Sequence, residues 1–228
     1  MPFQIYSKIS NLRWRGNVVA WIVYDGCNTI FHTGILGLFF PLWVTTTQGG
    51  NDAHFGYAVA VAMGLVIMGS PFIGRLFDLR WNRYSGLAWF TGVSASVTFL
   101  MGIFQIGLMV GLIMFVVALV FLTFAELLYN AALADVASPS QMGAIGGLGI
   151  GLGYLGSVVA VVIGLIGIDY LGFTYDFSFW TIGIVMAVLA SPLIIFGLRD
   201  TSRKNLATAK LERVNSEMRV TKPASLFS

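Results

Sequence analysis

The sequence predicts an all-α membrane protein with six transmembrane helices, and three observations carry that prediction. Hydrophobic residues fill 57% of the 228 positions and charged residues only 10%, whereas a soluble globular domain carries about 25% charged residues. Apolar runs near the length needed to cross a bilayer as helix, about 20 residues, recur six times. The 13 Lys and Arg residues gather at alternate ends of those runs, an asymmetry that membrane insertion produces because cytoplasmic loops hold the excess of basic residues.

Each element follows in order. Segment one spans 17–44 and comes after a short stretch, 1–16, that holds Lys8, Arg13 and Arg15. It is long, polar in its middle and lacks a small-residue exit site, so no cleavable leader is expected. Segment two spans 55–74, beyond the polar loop TTTQGGNDAHFG, and Arg75, Arg80 and Arg83 join it to segment three at 85–104. Segments three and four (107–133) form one apolar stretch broken only at FQIG. That stretch is too long for one crossing, so FQIG reads as a tight outer turn. Segment five (143–168) follows the polar ASPSQMG, and segment six (177–198) completes the set. The remainder, 199–228, is a basic cytoplasmic tail or a truncated central linker; its TAKLERVNSEMRV can form a short amphipathic helix, although a solvated tail is the plainer reading.

Six crossings with the amino terminus inside put all 13 basic residues on the cytoplasmic side and none in the three outer loops. The net charge of +3 therefore reports topology and contact with anionic lipid, not nucleic acid. Basic residues interleaved with aromatics, in NLRWRG and LRWNRY, resemble interfacial anchors. These features describe a multi-pass integral membrane protein, without distinguishing a plasma or inner membrane from an organelle membrane. Cys27 is alone, which excludes an intramolecular disulfide and a cysteine metal cluster. No cofactor, metal or enzymatic constellation is expected, since no nucleophile is spaced with a base.

Polar residues inside the apolar runs carry the functional signal. In segment one Asp25, Asn28 and His32 stand at i, i+3 and i+7 and share one helical face, with Tyr24 expected at its edge. A central charge in lipid costs about 2.5–3.5 kcal/mol on insertion scales, so such residues face protein or water. The stripe is either a hydrogen-bonded knot between helices or the lining of an aqueous cavity, and an Asp with a His exceeds what packing alone requires. Glu126 in segment four, with Tyr129 and Asn130 one turn on, is a second candidate for the pathway, as a proton carrier or as a neutral acid making a hydrogen bond. The loop GRLFDLRWNR sets Gly74 and Asp78 before Arg80 and Arg83.

The run GGLGIGLGYLG contains GxGxxG at Gly151, Gly153 and Gly156. A dinucleotide fingerprint needs a preceding strand within a βαβ unit, whereas this run follows the polar ASPSQMG and leads into the apolar SVVAVVIGLIGI. Gly146, Gly149, Gly153 and Gly156 instead step by 3, 4 and 3 along a helix, a flat stripe suited to close helix packing. With Gly56, Gly64 and Gly69 of segment two, it is expected to face a partner.

The cytoplasmic loop resembles the signature between the second and third helices of the major facilitator superfamily, through Gly74, Asp78 and Arg83. AWIVYDGCNTIFHTGILGLFFPLW is similar to the first helix of its vacuolar-effluxer-like (autophagy-related) permeases at Trp21, Tyr24, Asp25, Asn28, Phe31, Thr33, Phe40 and Pro41. Tyr129, Asn130, Ala131, Leu133, Asp135, Ala137, Ser138, Pro139, Gly143, Gly153, Tyr154, Leu155 and Gly156 resemble a second stretch of that family. Ala134 stands where the family has Pro, SQM replaces a charged run, and His32 takes a small residue's place. The resemblance implies the amino-terminal six-helix half of a twelve-helix permease over roughly 12–198. It implies secondary transport of a small polar, amino-acid-like solute by a half-length or split carrier that needs a second six-helix half, a homodimer partner or a separate chain. A non-transporting assembly subunit and a truncated product of a longer gene are the other readings.

Overall fold

The computed structural model describes residues 16–79 and 82–220. Among them, six helices are long and apolar enough to cross a membrane, and there is no strand. We label them α1 (Gly16–Thr47), α2 (Asp52–Leu79), α3 (Arg83–Ile103), α4 (Leu108–Val136), α5 (Met142–Tyr170) and α6 (Tyr175–Val220). The six predicted segments match these helices, and FQIG is the turn between α3 and α4. TAKLERVNSEMRV is helical, as the continuation of α6 to Val220, since nothing between Arg199 and Met218 is a helix-breaking Gly or Pro. Residues 221–228, and the amino-terminal Lys8, Arg13 and Arg15, lie outside the described residues.

Local chemistry sets the helix ends. Gly49 and Gly172 adopt φ of 65° and 68° in the two turns that follow α1 and α5, a conformation that costs glycine little. Asn51 accepts a hydrogen bond from the His54 N–H at the start of α2 (3.2 Å), and Asn82 does the same for Tyr84 at the start of α3 (2.9 Å). The carboxyl-terminal part of α1 is wound more loosely than an α-helix, with π-type turns over Phe31–Phe39 and Trp43–Thr47.

Helix α1 packs against α5 and α6, α3 lies between α4 and α6, and α2 rests on α4. Stacked rings fill the core beside the end of α1: Phe40 lies 4.1 Å from Phe115 and 5.6 Å from Trp43, with Phe179 edge-on to Trp43. Lipid tails are as apolar as leucine, so packing and hydrogen bonds, not burial from water, hold such helices together. Buried hydroxyls contribute here: Ser94 donates to the Ala118 carbonyl (2.9 Å), joining α3 to α4. Helix α2 stays the least covered, with Tyr57, Ile67, Met68 and Phe72 exposed.

The glycine stripe of α5 is used inside this bundle. A Cβ on Gly149 would meet the Trp21 ring, one on Gly153 the Asp25 carboxyl, and one on Gly156 the Gly26 carbonyl 2.6 Å away. The expectation that the stripe faces a missing partner is therefore overturned: α1 occupies it. Its spacing matches Trp21, Asp25 and Gly26 on α1, so the bare glycine surface is filled by the bulk of α1 itself. Gly146 meets only Leu133, at 3.7 Å, and Gly56 and Gly64 of α2 face open space. GxGxxG lies within the regular part of α5, where no loop exists to cradle a phosphate.

A polar cleft between three helices

Asp25, Asn28, Thr29, His32 and Thr33 of α1, Glu126, Tyr129 and Asn130 of α4, and Tyr154 and Ser157 of α5 line one cleft of about 410 Å³ that is open at the bundle surface. Regular α-helical winding from Gly16 to Ile30 keeps Asp25, Asn28 and Thr29 in register. Helix α4 presents Glu126 and Asn130 one turn apart on its facing side.

The groups interlock. His32 Nδ1 lies 2.9 Å from the Asn28 carbonyl and 3.3 Å from Glu126 Oε1. The Asn28 backbone carbonyl can only accept, so Nδ1 is the donor in this contact. This contact ties α1 to α4 across the cleft. Thr33 and Ser157 hydroxyls pair at 2.7 Å between α1 and α5, and Thr29 donates to the Asp25 backbone carbonyl (2.9 Å). The Asp25 carboxyl rests on Gly153, with the Tyr129 hydroxyl near it but not in hydrogen-bond contact.

Behind the cleft an aromatic stack fixes α4 against α1. Tyr129 is stacked on Trp21 and Tyr24, with ring centres 4.5 and 4.8 Å apart, and Trp21 Nε1–H donates to the Tyr129 carbonyl (3.1 Å). Tyr24 departs from expectation here. It is fully buried, and its hydroxyl pairs with Thr91 of α3 at 2.6 Å. One residue on from a helix face is about 100° around it, so Tyr24 turns into the bundle while Asp25 faces the cleft.

Six of the seven pathway residues singled out in the sequence thus come together: Asp25, Asn28, His32, Glu126, Tyr129 and Asn130. Thr29 and Thr33 also line the cleft, and their spacing of four from Asp25 and from each other is a signal that could have placed them. Ser157 and Tyr154 carried none, because only the packing of α5 on α1 brings them in. Among the described residues no group of three His, Cys, Asp or Glu side chains could hold a metal ion.

The residues of the loop between α2 and α3 are separate from the cleft. Gly74 is a helical residue of α2 with open space beyond it, and the Asp78 side chain and Arg80 lie outside the described residues. Arg83 donates through Nη1 to the Ala131 carbonyl (2.9 Å) and to Asp135 Oδ2 (3.1 Å), clasping the end of α4.

A family model described as Major Facilitator Superfamily matches residues 12–227. The chain is also 24% identical over 154 residues to an uncharacterized MFS-type transporter, YxiO, of Bacillus subtilis (strain 168). That similarity covers 64% of this chain and 36% of the relative, so this chain matches little more than a third of the relative's length. No solved structure matches.

Proposed function

The chain belongs to the major facilitator superfamily, and from that premise we propose that it is one six-helix half of a secondary carrier that moves a small polar solute past the cleft of α1, α4 and α5. One observation carries this reading: two carboxylates, an imidazole and two carboxamides gather in a cleft open at the surface of an apolar bundle. Facing acyl chains, each central charge would cost about 2.5–3.5 kcal/mol on insertion scales, so the cleft needs water and a second body over it. Parallel-repeat carriers of this kind bind solute between two such halves near the bilayer midplane. The second half is another copy or a separate chain, and the uncovered α2 and the outer face of α5 flank the cleft as its contact surfaces. The likeness of Tyr129–Asn130–Ala131 and of the α1 stretch to vacuolar-effluxer-like permeases supports an amino-acid-like solute. Both termini are cytoplasmic in this proposal, because that orientation puts all 13 basic residues inside.

An Asn130→Cys variant tests it in intact membranes, since Asn130 lines the cleft and is exposed. Reaction with a hydrophilic maleimide, together with crosslinking to a second six-helix body, is the expected result. Reaction with a lipid-soluble maleimide alone, with the chain remaining single, would refute the carrier reading.

A further inference from the structure

Resting on the carrier reading, we propose that this half grips the ammonium end of its solute through Asp25 and Asn28, so that the substrates are primary or secondary amines without net negative charge. The argument begins with the charges. Every Lys and Arg stands at 8–15, 75–83 or 199–222, leaving His32 as the only basic side chain lining the cleft, opposite two carboxylates. His32 is held 3.3 Å from Glu126. Among the described residues, no Lys, Arg or His lies within ion-pair distance of Asp25.

Hydrogen-bonding capacity points the same way. Asn28 is 7% exposed and lines the cleft, and its Oδ1 is buried without a hydrogen-bond partner. A buried acceptor left unpaired is destabilising, so a donor belongs beside it. Several of the cleft's own donors are committed: the Thr33 and Ser157 hydroxyls pair with each other, Thr29 donates to a backbone carbonyl, and His32 Nδ1 lies against Asn28 O and Glu126, while the Tyr129 hydroxyl beside Asp25 is not. Asp25 and Asn28 place two acceptors one turn apart on the same helix face, and the one neutral hydroxyl beside them, that of Tyr129, brings no positive charge. An ammonium supplies up to three N–H donors and the missing positive charge. A carboxylate supplies neither. A bare metal ion lacks its ligand set here, and a quaternary ammonium has no N–H to give Asn28. Tyr154, 64% exposed at the cleft, adds a ring face of the kind that attracts cations.

Ser157→Cys gives the readout, since Ser157 lines the cleft and the native Cys27 is buried. The labelling rate with an uncharged hydrophilic maleimide is measured in membranes of cells expressing the full chain. Putrescine and leucinamide are the amine probes, tetramethylammonium and isocaproate the comparisons. Only the two amines are expected to slow labelling. Asp25→Asn or Asn28→Ala, added separately, should raise the amine concentration needed by on the order of tenfold, as the loss of a charged or buried hydrogen bond implies, with labelling in the absence of probe unchanged. Two variants guard against one failing to fold. If no amine slows labelling, or isocaproate slows it as well as putrescine does, the ammonium inference falls and the carrier reading stands. If the reagent never reaches the Ser157→Cys thiol, the cleft is not aqueous and both fall.

Discussion

Replacing Gly156 with alanine isolates how close the α1–α5 approach is. The new Cβ would stand 2.6 Å from the Gly26 carbonyl oxygen and 3.1 Å from the Ile30 nitrogen, where ordinary contact begins at 3.4 Å. Both atoms are backbone, so no side chain can swing aside, and α1 must move by roughly 0.8 Å. Overpacking of this kind costs about 1–3 kcal/mol. Alanine also favours helix over glycine by up to about 1 kcal/mol, which masks part of the loss. Gly151→Ala provides the control: it lies on the same helix with nothing within 4 Å of its Cβ. The propensity gain is common to both variants, so their difference leaves the packing cost alone. At about 2–4 °C per kcal/mol for a chain of this size, Gly156→Ala should melt roughly 2–12 °C below Gly151→Ala. Heating detergent-solubilised samples and following the monodisperse peak by fluorescence-detected size exclusion measures it. Equal melting of the two variants would show that α1 does not seat against this stripe.

Two further outcomes are expected. Tyr24→Phe strands the Thr91 hydroxyl in the core, costing about 1–3 kcal/mol. It should lower the melting temperature while leaving reagent access to the cleft unchanged, and a change in access with normal stability would return Tyr24 to the cleft lining. Cysteines introduced at the exposed Asn51 and Ser202 test orientation in intact cells: an impermeant reagent should label the first and spare the second, and the reverse pattern would invert the topology.

The helices were readable because a bilayer imposes a length and a hydropathy that few sequences satisfy by chance, and the break at FQIG needed only that length to be placed. The polar face of Asp25, Asn28 and His32 was equally plain, because three costly residues at helical spacing have few explanations. The neighbour of the α5 glycines was not. A small-residue stripe announces a close contact without saying with what, and only the matching of Gly149 to Trp21 and Gly153 to Asp25 decides it. The inward turn of Tyr24 was hidden for a related reason: its hydroxyl could serve the cleft or the core until Thr91 of α3 was found beside it. Ser157 shows the same limit, since a lone serine after glycine-rich helix carries no signal until α5 is docked.

The loose winding of α1 separates two chemistries along one rod. In a regular α-helix Trp43 lies 18 residues, five whole turns, beyond Asp25, and would point in the same direction. Nine residues wound i to i+5 over Phe31–Phe39 delay the phase by roughly half a turn. Trp43 accordingly lands in the core, 1% exposed and stacked on Phe40, while Asp25 faces the cleft. The polar stripe ends at Thr33, where the winding changes and residues 34–44 carry no polar side chain. The spacing between Thr33 and Phe40 thus acts as a phase register: deleting residues from it would swing the aromatic row toward the polar opening, whereas substitutions that preserve its length would leave both faces in place.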